Sequence, residues 1–195
     1  FSDRNKDKKP ILIIGKSCPW AHRTWLVYKL RNLEEEINLF IAKPSPSKGK
    51  WALENGLLGC QYLDQIYNLC NSKANYRATV PTLIDPGDSQ TQKARLLGNE
   101  STQLIQVLNK WPTKNQAIDL LPEELLEPIS KWESLLQPTV NDGVYKCGFA
   151  RNQISYTKAS ETLFESLKEV ETALSSGSDW LCGEKLTLAD IRLFP

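Results

Sequence analysis

An apolar run, Ile11-Leu-Ile-Ile14, ends at Gly15, and a cysteine soon meets a proline that opens a helical pattern, Cys18-Pro-Trp-Ala-His-Arg-Thr24. A buried strand followed by the start of a helix satisfies that pattern. Pro19 suits the first helical position, because its φ is preset and its missing N–H would have no intrahelical partner. The thiol then sits among free backbone N–H groups at the positive end of the helix dipole, which favours a thiolate. An ordinary thiol with a pKa of about 8.5 is only a few per cent ionised at neutral pH, so a shift of about two units would make it mostly thiolate. This is the arrangement of a redox or thiol-transfer cysteine. The alternative is a structural cysteine buried at a strand–helix junction.

The rest of the first hundred residues alternates strand and helix signals. Ile11–Ile14 reads as a strand, Pro19–Arg31 as a helix and Ile37–Ala42 as a second strand, with a Pro/Ser/Gly-rich loop from Pro44 to Gly49. Tyr62–Asn71 reads as a helix with Leu63, Ile66, Tyr67 and Cys70 on one face. Val80–Ile84 is a short strand, Asp85-Pro-Gly-Asp88 a turn, Ala94–Leu97 the returning strand and Ser101–Lys110 a helix with Leu104, Ile105 and Leu108 inward. The order β-α-β-α-β-β-α is that of a thioredoxin-like fold. From Trp111 onward the pattern becomes helical. Pro112 to Ala117 reads as a linker, and Ala159, Leu163, Leu167, Val170 and Leu174 recur at helical spacing. Thr187-Leu-Ala-Asp190 reads as a capping box. The expected architecture is α/β plus all-α: a thioredoxin-like domain over residues 1–110 and a helical domain over 118–195, with the active site in the cleft between them. Because the helical pattern is still running at Pro195, the second domain is expected to be truncated. A start at Phe1 and the absence of methionine point to a fragment, or to a sequence that has lost modified methionines; in the latter case spacings near Cys18 would shift by one.

Two further segments belong with Cys18. Thr79-Val80-Pro81-Thr82 places a proline at the head of a strand, where its missing donor is tolerated. A cis Val80–Pro81 bond, the minority form for X–Pro, would turn the Val80 backbone outward to pair with a peptide-like ligand. Gly98-Asn-Glu100-Ser101-Thr102 ends a strand and opens a helix. Ser101 with neighbouring N–H groups suits a carboxylate and Glu100 suits an ammonium, the two charges of an amino-acid head group. A plain helix cap is the competing reading. His22 follows Cys18 by four residues and is either a modulator of the thiol or simply packed on that face. Trp20 and Trp25 read as core.

Bulk charge is nearly balanced, with 24 Lys plus Arg against 23 Asp plus Glu, which gives no electrostatic case for nucleic acid or an anionic membrane. The leader carrying Arg4, Lys6, Lys8 and Lys9 is interrupted by Asp3 and Asp7 and reads as a solvated, mobile arm. No membrane span or signal peptide is legible. Cys18, Cys60, Cys70, Cys147 and Cys182 show no CxxC or zinc-ligand spacing, and one histidine leaves little for a metal. A soluble, cytoplasmic protein without a metal site is expected.

From about residue 10 to residue 195 the chain resembles the soluble glutathione transferases of cysteine type, in particular the glutathionyl-hydroquinone reductases (xi class), with the omega class next. Cys18-Pro-Trp-Ala-His-Arg-Thr24 is similar to the reductases' catalytic motif, Thr79-Val-Pro81 and Glu100-Ser101 to the superfamily's glutathione site, and Asn141-Asp-Gly-Val-Tyr145-Lys-Cys-Gly-Phe-Ala150 to a segment associated with the reductases. Leu186-Thr-Leu-Ala-Asp190-Ile-Arg-Leu-Phe194 resembles the superfamily's folding-nucleus helix. The resemblance implies that Cys18 forms a mixed disulfide with glutathione as co-substrate. It further implies that Val80 beside Pro81 pairs with the cysteinyl backbone, that Glu100 and Ser101 hold the γ-glutamyl end, and that Arg77 meets the glycyl carboxylate. Trp51 is the candidate aromatic over glutathione, although its surroundings match the family poorly, and Tyr145 lies near an aromatic or quinone-derived substrate. A homodimer is one assembly the family makes available. The runner-up activities are an omega-like thioltransferase or dehydroascorbate reductase and a non-catalytic binding module of the same fold.

Overall fold

The computed structural model describes residues 9–70, 77–87, 93–114 and 117–195, which form two compact units, Phe1–Ile118 and Asp119–Pro195. Most of the charged leader, Asn71, Asp88 and two linker residues lie outside the described residues.

The first unit is built on β1 (Ile11–Gly15), whose five residues are all buried and which lies inside the sheet. It leads through Cys18 into α1 (Pro19–Leu30), which buries Ala21, Thr24, Val27 and Tyr28. A short 3₁₀ turn returns the chain to β2 (Asn38–Ser45), parallel to β1 with Gly15 opposite Ala42. Parallel neighbours require such a crossover, and α1 supplies it. Next come β3 (Lys50–Leu57), β4 (Cys60–Tyr62) and α2 (Leu63–Leu69), then β5 (Thr82–Asp85), β6 (Arg95–Gly98) and α3 (Ser101–Asn109). The strands lie in the order β4-β3-β2-β1-β5-β6, and every pairing except β1–β2 is antiparallel. Leu12, Ile13, Ile14, Leu83 and Ile84 of the central strands and Leu63, Ile66, Leu104, Ile105 and Leu108 of the helices are buried. The sheet and helices make this a thioredoxin-like unit.

One departure from the sequence reading is the β3–β4 hairpin, which occupies the stretch between the Pro44–Gly49 loop and the helix at Tyr62, where that reading places no element. Leu57 pairs with Cys60, so only Leu58 and Gly59 form the turn, with φ of 51° and 76°. A two-residue hairpin turn of this hand prefers Asn-Gly or Asp-Gly, and a leucine at positive φ carries no such signal. The register also shifts between Ala52 and Leu57, where Asn55 and Gly56 have positive φ. A bulge of this kind breaks the two-residue alternation that reveals a strand.

The second unit contains α4 (Leu126–Leu136), a π-helical turn over Gln137–Asn141, α5 (Gly143–Gly148), α6 (Gln153–Ser175) and α7 (Leu188–Leu193). Its only strand-like pairing among the described residues is an isolated bridge between Trp180 and Gly183. Leu136, Val140, Leu163, Val170, Leu181 and Ala189 form its core. Pro138 lacks the N–H that would continue the α-helical ladder, and Asp142 N–H instead reaches back to the Gln137 carbonyl at 3.0 Å. Asn152 caps α6, accepting from Ser155 N–H at 2.8 Å. The capping box ahead of α7 is formed: Asp190 accepts from Thr187 N–H at 2.8 Å, and Thr187 Oγ1 accepts from Ala189 N–H at 3.3 Å. The buried Arg192 pairs with Glu133 of α4 at 2.7 Å, and its carbonyl accepts from Asn141.

Candidate active site

The C-terminal end of β1 gathers Cys18, Val80, Pro81, Glu100 and Ser101, and the sheet register explains why. β5 runs antiparallel to β1 with Thr82 opposite Ile13, so Val80 and Pro81, just before β5, lie beside the end of β1. β6 runs antiparallel to β5 with Gly98 opposite Leu83, which brings the following Asn99-Glu100-Ser101 to the same end. On the other flank Trp51 is paired with Pro44 near the end of β2.

Cys18 is the residue that caps α1 with its backbone. Its N–H donates to the Gly15 carbonyl at 3.0 Å, and its own carbonyl accepts from Ala21 and His22 N–H at 3.1 and 2.9 Å. Its φ and ψ are extended and Pro19 follows as the first helical residue. The half-buried thiol, not used for capping, donates to the Val80 carbonyl at 3.5 Å. The Val80–Pro81 bond is cis and both residues are buried. Gly15 is the place where the ring of Trp51 meets β1: a Cβ there would collide with the indole.

Glu100 is the N-cap residue of α3, yet its exposed carboxylate makes no capping hydrogen bond, while Ser101 is buried at the first helical position. Arg77 is exposed at the start of the segment leading to Val80. His22 presents its ring to Trp25, with centroids 6.4 Å apart and a tilt of 54°. Trp20 and Trp25 are half-buried, not core, and the buried Arg23 guanidinium lies 4.6 Å over the Trp20 ring. Tyr145 belongs to the second unit, on α5, where its ring stacks on Phe149 at 6.2 Å.

Sequence reasoning missed a set of polar residues behind this end of the sheet. The Tyr67 hydroxyl lies 3.1 Å from the Thr79 carbonyl and 2.9 Å from Thr82 Oγ1, and it accepts from Asn99 Nδ2 at 3.2 Å. Tyr67 is legible only as an inward helix position; nothing in its spacing signals a polar role.

The remaining cysteines are all free thiols in a different setting. Burial raises Cys70 to about 11, with Cys60 and Asp85 adding to the effect. Burial also raises Cys60, helped by the Asp64 charge, and Cys182, against a hydrogen bond from Thr187. At neutral pH Cys70 is therefore ionised in only about 10⁻⁴ of molecules. Iodoacetamide at neutral pH is expected to label Cys18 well before Cys60, Cys70 and Cys182, as read by peptide mass spectrometry. Labelling of Cys70 at the rate of Cys18 would contradict this. Among the described residues no group of three or more His, Cys, Asp or Glu side chains is placed to hold a metal, and no helix is long and apolar enough to cross a membrane.

Comparison with known proteins identifies the family of the chain. The N-terminal domain of glutathione S-transferases matches residues 17–111 and the C-terminal domain of the same family matches residues 124–195. The chain belongs to the glutathione S-transferase family. Within it, the chain is similar to glutathionyl-hydroquinone reductase PcpF of Sphingobium chlorophenolicum, at 35% identity over 193 residues, covering 94% of this chain and 60% of the relative. Among solved structures it is similar to glutathione transferase Xi 1 from Trametes versicolor, with a TM-score of 0.83, 36% identity and coverage of 95% and 67%. It is also similar to the glutathione-bound structure of YqjG from Escherichia coli, with a TM-score of 0.84, 32% identity and coverage of 98% and 63%. The chain spans about 60% of the length of the curated relatives it matches.

Proposed function

We infer that the protein is an enzyme that uses glutathione for thiol transfer through Cys18, reducing glutathionyl-hydroquinone-type adducts. The observation that carries this reading is the Cys18 thiol at the start of α1, 3.5 Å from the Val80 carbonyl. A thiol there attacks sulfur, and the Val80 backbone is at hand to align a peptide-like ligand beside it. In the reaction, Cys18 thiolate attacks the sulfur of the glutathionyl adduct. The sulfur–carbon bond breaks, its electron pair stays with the aromatic carbon, and a proton from solvent completes the hydroquinone. The Cys18–glutathione disulfide is then attacked by a second glutathione thiolate, which releases oxidised glutathione and returns Cys18. The adduct is reduced by two electrons and two glutathione sulfurs are oxidised.

Val80, beside Pro81, is assigned to the cysteinyl backbone of glutathione, Glu100 and Ser101 to the γ-glutamyl end, Arg77 to the glycyl carboxylate and Trp51 to the wall over the ligand. Tyr145 is assigned to the aromatic acceptor, on the family likeness of its segment. That the Glu100 carboxylate is exposed and makes no cap supports its role in binding an ammonium group. Free cysteines fit a reducing, cytoplasmic setting, and a homodimer is the assembly the family likeness suggests.

The deciding experiment compares turnover of a glutathionyl-hydroquinone with that of dehydroascorbate at equal glutathione. Preference for the first is expected; preference for dehydroascorbate would move the reading to an omega-like reductase, and turnover of neither to a binding module. Glu100→Ala is expected to weaken glutathione binding by about 1–3 kcal/mol through one lost charged hydrogen bond. Calorimetry showing unchanged affinity would reduce Glu100 to a helix-start residue.

A further inference from the structure

The hydroxyl of Tyr67 is where three separate segments of the first unit meet. Tyr67 is 3% exposed on α2. Thr82 Oγ1, fully buried at the head of β5, donates to the Thr79 carbonyl at 2.5 Å, so its lone pairs face the Tyr67 hydroxyl at 2.9 Å. The phenolic proton is thus shared between Thr82 Oγ1 and the Thr79 carbonyl at 3.1 Å. On the other side the phenol oxygen accepts from Asn99 Nδ2 at 3.2 Å. The donors therefore run in one direction, from the β6–α3 turn through Tyr67 to the segment before Pro81.

Each end of this chain adjoins a candidate binding element. Asn99 immediately precedes Glu100 and Ser101, and Thr79 immediately precedes Val80, whose carbonyl meets the Cys18 thiol. No backbone pairing between strands spans the two tips, because the β5–β6 ladder stops at Leu83 and Gly98. Side-chain hydrogen bonds through Tyr67 reach across that gap. In a buried setting such linked bonds reinforce one another and hold a single geometry.

We propose that Tyr67 is a positioning residue that locks the Asn99–Glu100 turn to the Thr79–Val80 segment, so that the γ-glutamyl and cysteinyl parts of glutathione are recognised as one unit. This rests on the glutathione reading above. Tyr67 touches neither ligand nor thiol in this scheme; it acts through its neighbours. Removing its hydroxyl leaves the ring packing intact but frees the turn from the strand, and Glu100 then no longer meets the ligand at a fixed distance from Val80.

The test is a double-mutant cycle in the affinity for S-methylglutathione, which cannot form a disulfide, measured by calorimetry on wild type, Tyr67→Phe, Glu100→Ala and the double variant. Tyr67→Phe alone is expected to weaken binding about fivefold to tenfold, the size of one net hydrogen bond. In the Glu100→Ala background the same change is expected to cost less than about twofold, since groups in one network are not additive. A purely structural role predicts a lower Tm with affinity unchanged, or penalties that add in full; either result overturns the proposal. Asn99→Ala, which cuts the link at a half-buried residue, gives the same cycle should Tyr67→Phe fold poorly. Wild type that does not bind S-methylglutathione at all would overturn the glutathione reading and this inference with it, whereas tight wild-type binding with additive variants removes this inference alone.

Discussion

Cys18→Ser is expected to abolish reduction of glutathionyl-hydroquinones by at least roughly a thousandfold, equivalent to about 4 kcal/mol of barrier, while glutathione still binds. A hydroxyl at the start of α1 is far less ionised than a thiol and cannot form the mixed disulfide. The proposed binding contacts at Val80, Glu100 and Ser101 are untouched by the change. The serine hydroxyl could still donate to a bound glutathione thiolate, so weak conjugation is a permitted side result. Mass spectrometry provides a second reading: wild type treated with oxidised glutathione should gain one glutathione, located on Cys18 by peptide mapping. An adduct on Cys60, Cys70, Cys147 or Cys182 instead, or full activity in Cys18→Ser, would overturn the mechanism.

The largest loss of stability is expected at Asp190. Its carboxylate accepts from Leu181 N–H and Thr187 N–H, both at 2.8 Å, and from Thr187 Oγ1 at 3.0 Å. Asp190→Ala leaves two buried backbone donors without this acceptor, and hydrogen bonds to a charged group contribute about 1.5–3 kcal/mol each, so the cost is about 3–5 kcal/mol. The two donors lie on opposite sides of the turn between Leu181 and α7, so one side chain closes that turn and starts the helix. Urea unfolding would measure the loss. Asp190→Asn, with one oxygen acceptor left, should fall between wild type and alanine; a loss below about 1 kcal/mol in the alanine variant would mean that the turn closes without it.

How much of this was legible in the sequence depended on whether a feature is local. The strand–cysteine–helix entry at Ile11–Thr24 is written in consecutive residues, because Pro19 marks a helix start and the apolar run marks a buried strand. The change to a helical second unit and the capping box ahead of α7 were equally legible, as both rest on short-range spacing. The β3–β4 hairpin was not, since Leu58 adopts a turn conformation its side chain does not advertise and the bulge at Asn55–Gly56 scrambles the alternation. The π-helical turn was hidden for a related reason: Pro138 reads as an interruption without saying how the ladder re-forms. For the candidate site, cysteine, proline and glutamate stood out by chemistry and position. Tyr67, Thr82 and Asn99 did not, because their partnership exists only after β5 and β6 pair and the Tyr67 hydroxyl of α2 reaches both. The cis form of Val80–Pro81 is likewise fixed by surroundings that the dipeptide does not contain.

The meeting of Gly15 and Trp51 links the edge hairpin to the strand that delivers Cys18. What joins them is a missing side chain: the indole fits only because position 15 offers hydrogen where other residues offer carbon. The placement of the Trp51 ring against β1 is thus set at a residue that has no functional group. A chain in which this glycine became alanine would keep every reactive atom and still have to move its tryptophan. A change at position 15 can therefore move the Trp51 ring without altering either residue of the Cys18–Val80 contact.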